Sequence, residues 1–482
     1  MTDRLVVRRG TYYDSVTLML ASREAEEVIG VEFAAAVTAT PVNVGLLENN
    51  GFDLSDEALT PNDLVIAIRA RDDAAGDAAA AAVEARLVGD RGSMGGASEP
   101  IAARSLRSAA RRDPRLSLAF VSVPGRHAAY EVATALEAGL NVFCFSDGLS
   151  LDDEVVMKRR ALERGLLMLG ADCGTAIIDG VALGFANVVS RGPVGVVGAS
   201  GTGIQEVTCL LDAAGVGISH AIGVGGRDLS AEVGGLMTVR ALELLAFDDS
   251  TRSIIVLSKP PDPAIAANVA QAAARTGKPV VMGMLGITHA LEMPDGVELV
   301  ATLEEAAARG AEGAGGKIVT HDAELPARRT PGVIRGLFAG GSLCFEASGV
   351  VIAAGAVPGD SFVDYGEDEM TEGRAHPMID PTLRDEAFED AAADPEVGAI
   401  IVDVVLGLGA HADPAGALAP RIEKALGKRR ESLTIIAAVC GTDRDPQEAG
   451  AQARRLADAG ALVTRNVAHA ARLALAAARG ED

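Results

Sequence analysis

The sequence predicts a multi-domain α/β protein, and three observations carry that reading. Short runs of Val, Ile, Leu and Ala repeatedly end in glycine, proline or small polar residues and give way to stretches of helical spacing, the alternation of a largely parallel sheet. Aromatic residues are only 3% of the chain and tryptophan is absent, against 49% apolar residues, so the cores must be Ala, Val and Leu. Such residues suit helices packed closely on parallel sheets better than a β-sandwich. At 482 residues, a prior of roughly 150 residues per domain gives about three domains.

Residues 4 to 9 alternate as a short strand, Asp14 or Ser15 can cap a helix through Val28, and Val31 to Thr38 reads as a second strand. Pro41 starts another helix and Leu64 to Arg69 is a third strand, a β-α-β-α-β order that resembles a small ferredoxin-like module over 1–90. The Ala-rich stretch Asp72 to Val88 is helical by propensity. Residues 91–115 contain Arg91-Gly-Ser-Met-Gly-Gly-Ala-Ser-Glu-Pro100, a plain linker or a lid over a site.

Over 116–192 the pattern is strand (Leu116 to Val123), Pro124-Gly125, helix, strand (Asn141 to Phe145), Ser146-Asp-Gly-Leu-Ser150, helix, and strand (Leu166 to Gly170). This is one βαβαβ half of a doubly wound, Rossmann-like sheet. The same grammar continues over 193–330, with strands from Gly217, Ser253 and Pro279, and over 331–482, with strands from Gly336, Ala399, Leu433 and Ala461. Asp249 to Gly286 repeats the element order of Asp394 to Gly441, so the last two domains are read as related and facing one another.

The most informative stretch is Val194 to Val207. An apolar strand, Val194 to Val197, meets a small-residue turn (Gly198, Ser200, Gly201, Thr202, Gly203), and helical spacing begins at Ile204. Unpaired N–H groups and the positive end of a helix dipole then converge, a natural seat for a small anion. The turn lacks the lysine of a P-loop and is not G-x-G-x-x-G. The bland alternative is a tight βα turn without a ligand.

A net charge of −24 argues against nucleic acid and anionic membranes as partners, so an anionic substrate must be met by local donors. Five scattered cysteines without a C-x-x-C pair suggest reduced thiols, with neither disulfides nor a zinc site. Met1-Thr-Asp-Arg-Leu lacks a signal-peptide layout and no long apolar span is seen, which leads to the expectation of a soluble cytoplasmic protein.

Several of these stretches resemble a known family. Leu118 to Gly139, Gly170-Ala-Asp-Cys-Gly174, Gly198 to Glu206 and Gly223-Val-Gly-Gly226 are similar to the α subunit of succinyl-CoA synthetases. Asp394 through Gly407-Leu-Gly-Ala-His411 to Ala457 is similar to the carboxyl-terminal domain of their β subunit. Joined to an N-terminal module containing Tyr13-Asp-Ser-Val16 and to His376-Pro-Met-Ile-Asp-Pro-Thr-Leu-Arg384, this is the layout of the FdrA family. The resemblance implies a CoA-binding-type Rossmann domain followed by two flavodoxin-like, synthetase-like domains.

It also implies a function, that of a component of an oxamate carbamoyltransferase-type enzyme of allantoin catabolism. Such an enzyme acts with companion subunits on oxalurate or oxamate and phosphate or carbamoyl phosphate. The synthetases' phosphohistidine loop is not matched: the region reads Gly283-Met-Leu-Gly-Ile-Thr-His-Ala290, and no segment remains for an ATP-grasp domain. No cofactor or metal is therefore expected, with CoA as the alternative. A CoA-dependent acyltransferase or ligase and a non-catalytic scaffold are the competing functions.

By the same resemblance, the helix starts at Ser200-Gly-Thr202 and Gly409-Ala-His411 hold one phosphoryl group, and Glu206 contacts it. Gly203, Gly225, Gly226, Gly341 and Ser342 complete the expected phosphate and substrate set, with Ala410 in the second turn. His376 is a candidate general acid/base or a hydrogen-bonded loop histidine. His411 is expected as a neutral donor at a helix N-terminus. Arg384 has the fork geometry for a carboxylate, or forms a salt bridge with Asp380 or Asp385. Cys173 and Cys344 lie near strand ends but have no evident base, and read as buried small residues.

Overall fold

The computed structural model describes residues 1–479 apart from 12, 14, 55–58, 93–102, 104, 288–290, 319–328 and 372–373. Asp14, His289 and His321 lie outside the described residues, as does most of the glycine-rich connection. The chain divides into two compact units, Met1–Ala102 and Ala103–Asp482.

The first unit runs β1 (Thr2–Arg8), α1 (Ser15–Glu26), β2 (Val31–Thr38), α2 (Pro41–Asn49), β3 (Leu64–Ala70) and α3 (Asp73–Gly92). Its three-stranded sheet has the order β1-β3-β2, antiparallel throughout. Successive side chains of the central strand point to opposite faces. Leu64, Ile66 and Ile68 pack with Leu18, Ala79 and Val83 of α1 and α3, while Val65 and Ala67 pack with Leu47, Phe52 and Leu54. Thr40 caps α2 by accepting the Asn43 N–H, with Pro41 at the first helical position.

The second unit opens with α4 (Leu106–Arg112), β4 (Leu118–Val121), α5 (Gly125–Glu137), β5 (Asn141–Cys144), α6 (Leu151–Glu163) and β6 (Met168–Leu169). Its strands form a parallel sheet, β4-β5-β6. A hairpin follows, β7 (Thr175–Ile178) and β8 (Val181–Gly184), turning at Asp179 and Gly180, both of positive φ. Next come β9 (Arg191–Gly198), α7 (Gly201–Ala213), β10 (Ile218–Gly223), α8 (Leu236–Phe247), β11 (Ser253–Ser258), α9 (Pro263–Ala274), β12 (Val280–Met284), β13 (Val297–Val300) and α10 (Leu303–Gly313). The resulting seven-stranded sheet has the order β13-β12-β11-β9-β10-β7-β8, parallel from β13 to β10 with the hairpin antiparallel at its edge.

The last array is β14 (Val333–Phe338), α11 (Gly341–Ala353), β15 (Ser361–Asp364), α12 (Asp368–Thr371), α13 (Thr382–Ala393), β16 (Val397–Val405), α14 (Pro414–Arg429), β17 (Thr434–Cys440), α15 (Ala449–Asp458), β18 (Leu462–Thr464) and α16 (Val467–Arg479). All five strands are parallel, in the order β15-β14-β16-β17-β18.

One apolar core joins the two larger sheets: Ile204, Val207 and Leu211 of α7, Leu303 and Ala306 of α10, Leu343 and Ala347 of α11, and Ala470 and Ala474 of α16 pack together. Alanine at so many contact positions lets these helices approach closely. A polar seam adds register to this contact. Asn187 Nδ2 donates to Asp445 Oδ2 (2.8 Å) and to Leu406 O (3.0 Å), Gln205 Nε2 donates to Asn187 Oδ1 (3.1 Å), and Leu408 bridges Ala186. Among the described residues, no helix is long and apolar enough to cross a membrane.

Candidate functional site

In parallel α/β sheets the strand carboxyl ends form the ligand crevice, and here the ends of β9 and β14 meet. Ser200, extended at φ −158°, is the N-cap of α7, and its Oγ accepts the Gly203 N–H at 3.1 Å. The same hydroxyl donates to Ser342 Oγ in the first turn of α11, at 2.6 Å and buried. Gly340, the N-cap of α11, lies against Thr202, where a Cβ would come within 2.8 Å of the threonine Cγ2. Glycine is required there by close approach, because its φ of −112° suits any residue.

The turn into α11 is held from behind. Asp403 accepts the N–H groups of Ala339 and Gly340, each at 2.8 Å. Arg384 Nη1 in turn donates to Asp403 O at 2.8 Å. With those amides occupied, the first-turn N–H groups of Gly201 and Thr202 in α7, and of Gly341 and Ser342 in α11, remain as donors without intrahelical partners. Two helix dipoles point positive ends into one place. A small oxyanion is the species such an arrangement stabilises.

Three ionisable side chains border the cradle. A Cβ on Gly341 would collide with Asp364 Oδ2 and lie 2.9 Å from Lys259 Nζ. Burial pushes the Asp364 carboxyl up to about 6, opposed by the Gly366 N–H and then the Lys259 charge. His376 Nε2 and Asp364 Oδ1 both approach Gly366, at 2.6 and 3.1 Å from where its Cβ would stand. Burial pushes the His376 imidazole down to about 4, so the ring is neutral near pH 7. Its Nδ1 accepts the Met378 N–H at 3.2 Å, which places the proton on Nε2. The ring lies 5.8 Å from that of Phe185.

The expected site residues therefore separate. Ser200, Gly201, Thr202, Gly203, Gly341 and Ser342 come together, with His376 beside them. The expected pairing of Ser200 with the Gly409 turn is corrected: the helix start facing Ser200 is that of α11. Gly409, Ala410 and His411 form a turn, and α14 begins only at Pro414 with Asp413 as N-cap. Thus His411 is not at a helix N-terminus. Its N–H donates to Met378 O at 2.7 Å and its Nδ1 accepts the Asp413 N–H at 3.1 Å. Gly409 packs on the Phe185 ring, so this turn flanks His376.

Of the two readings of Arg384, the salt bridge to Asp385 holds and the carboxylate fork is corrected. Arg384 is 3% exposed and bound to Asp385 and Asp403, so it braces the α11 turn and is not presented to a substrate carboxylate. Glu206 points away from the cradle, is 1% exposed and accepts the Val467 N–H at 3.3 Å. Gly225 packs on the Gly170–Ala171 turn, while Gly226 has open space beside it. All five cysteines are buried and free, and burial pushes the Cys173 thiol up to about 12. Lys259, Asp364 and Asp403 were not foreseen; their only sequence signal is a position at or near a strand's carboxyl end. Among the described residues, no cluster of side chains suits a metal ion.

Comparisons with known proteins match three stretches of the chain. Residues 1–101 match the family described as AllF, heavy metal-associated domain. Residues 189–285 match the CoA binding domain, and residues 337–477 match the CoA-ligase family. The amino-terminal segment contains neither cysteine nor histidine, so it offers no thiolate or imidazole ligand for a heavy metal. The chain is 38% identical to YahF of Escherichia coli across 96% of both proteins. It is 31% identical to subunit alpha 1 of an ADP-forming succinate–CoA ligase of Archaeoglobus fulgidus, over 29% of this chain and 48% of that subunit. Among solved structures, a dinucleotide-forming acetyl-coenzyme A synthetase of Ca. Korarchaeum cryptofilum in complex with phosphate and ADP is 16% identical, with TM-score 0.34, covering 75% of this chain and 82% of that one. The chain belongs to the family of YahF, and joins in one polypeptide an AllF-type amino-terminal domain with CoA-binding and CoA-ligase domains.

Proposed function

We propose that the chain is a component of a carbamoyltransferase of the oxamate type, exchanging a carbamoyl group between oxalurate and phosphate, with oxamate and carbamoyl phosphate on the other side. The single observation behind this reading is the junction of two helix N-termini at the Ser200–Ser342 hydrogen bond of 2.6 Å. It offers amide donors to a phosphoryl group and to the oxyanion that develops when phosphate adds to a carbamoyl carbon. That chemistry needs no nucleotide. The AllF-type amino-terminal match supports a place in allantoin breakdown.

Calorimetry on the full chain with carbamoyl phosphate, CoA and ATP tests the reading. Carbamoyl phosphate binding is expected, and Gly201→Asp should abolish it. A Cβ at Gly201 meets only Thr175 Oγ1, at 3.5 Å, so the backbone tolerates the substitution and its effect is expected through charge. CoA binding without carbamoyl phosphate binding would refute the proposal.

A second reading is CoA-dependent acyl transfer, favoured by the match of residues 189–285 to a CoA binding domain. CoA bound to that domain would supply a thiol as acyl acceptor.

A further inference from the structure

Two charged side chains, delivered by different sheets, meet at the first turn of α11. Lys259 follows the last residue of β11, and Asp364 is the last residue of β15. Both reach the Cα of Gly341, where any side chain would strike them. Lys259 is exposed, and its ammonium, which acts electrostatically on the Asp364 carboxyl, stands close to Gly341 at the start of α11. Asp364 Oδ1 is fixed by the Gly366 N–H at 2.8 Å, which leaves Oδ2 on the side of the cradle. The groups facing this carboxyl are Lys259, Asp403, Glu367, the Cys344 thiol and, across Gly366, His376. A carboxyl that burial holds near neutrality can both give and take a proton there.

We infer that Lys259 and Asp364 are the charged working pair of the cradle, Lys259 binding the tetrahedral dianion and Asp364 carrying the proton that moves during carbamoyl transfer. The inference rests on the carbamoyl-transfer reading and deepens it. An oxygen of hydrogen phosphate bonds to the ureido carbon of oxalurate. The bond from that carbon to the oxamate nitrogen breaks, and its electron pair stays on nitrogen. The nitrogen takes the proton of the Asp364 carboxyl. The carboxylate so formed takes the proton that hydrogen phosphate brought, and Asp364 ends as it began. Lys259 keeps the phosphoryl charge neutralised throughout.

Calorimetry on the full chain across the neutral pH range tests both assignments. The probes are carbamoyl phosphate and sulfate, whose charge is constant there. Lys259→Gln should weaken both by about tenfold or more, the usual effect of losing a charge-assisted contact, and Lys259→Arg should restore most of the affinity. Sulfate binding to the wild type should weaken as pH rises and Asp364 ionises; Asp364→Asn should remove that dependence and tighten binding at the alkaline end. Unchanged affinity in Lys259→Gln, with a wild-type unfolding midpoint, overturns the Lys259 assignment. A sulfate profile that survives Asp364→Asn overturns the Asp364 assignment. If the wild type binds sulfate through Lys259 but not carbamoyl phosphate, the transfer reading and its proton step fall while the anion site stands. If it binds neither, both fall.

Discussion

Glu346→Gln is the perturbation whose outcome follows most directly from burial. Glu346 is 3% exposed on the inner face of α11, with Oε1 accepting the N–H of Leu303, the first residue of α10, at 2.6 Å. Its Oε2 has no hydrogen-bond partner among the described residues. Burial pushes this carboxyl up from an ordinary 4.5 to about 8. Glu206 does the same on α7, accepting from Val467 at the start of α16, and is raised by burial first and by Glu346 second.

A native acid that keeps its proton while the unfolded chain has lost it contributes stability fully present below about pH 4.5. That stability is lost as pH rises to about 8 and is constant above it. At about 1.4 kcal/mol per pH unit, the gap sets an upper bound of about 5 kcal/mol for Glu346. Glutamine keeps the acceptor for Leu303 but puts an NH2 group where Oε2 lacked a partner, a pH-independent cost of roughly 1–3 kcal/mol. Urea unfolding from about pH 5 to about pH 9 should therefore show the variant less stable than wild type at the acidic end. The difference should move in the variant's favour by a few kcal/mol as pH rises. A constant difference across the range would show that Glu346 is ionised in the native chain, and the reasoning would fail.

Gly340→Ala should drive α7 and α11 apart, because its Cβ would stand 2.8–3.0 Å from three Thr202 atoms. Overpacking of this kind costs about 1–3 kcal/mol, and anion affinity measured by calorimetry should fall more than the loss of stability explains. Arg384→Met should destabilise the chain by roughly 3–5 kcal/mol in denaturant unfolding, since it strands the buried Asp403 carboxylate. A substrate-binding arginine at the surface would instead weaken ligand binding with stability nearly unchanged.

Local signals carried the strand–glycine–helix units well, because each is a contiguous run. Val194 to Val207 unfolds into β9, the Ser200 cap and α7 as its residue types require. The β7–β8 hairpin escaped notice although Asp179-Gly180 between two apolar runs announces a tight turn. At Gly409 the glycine spacing misled. The better marker of the helix start was Asp413-Pro414, an N-cap followed by proline at the first helical position.

What no local pattern supplies is which turns meet. Ser200 and Ser342 are far apart in sequence, and their contact depends on how the α7, α10, α11 and α16 layer packs. The same holds for Lys259 with Asp364, and for the buried Arg384–Asp403 pair. One regularity was available: Gly201 to Glu206 and Gly341 to Glu346 share a spacing, and each glutamate seats on the N-terminus of a further helix.

A crystal of the full chain grown with phosphate tests the central claim most directly. One phosphate should be found accepting N–H groups from both helix starts, Gly201–Thr202 and Gly341–Ser342, at donor distances of about 2.7–3.1 Å. Phosphate bound only elsewhere, with the Ser200–Ser342 junction closed and unliganded, would contradict it.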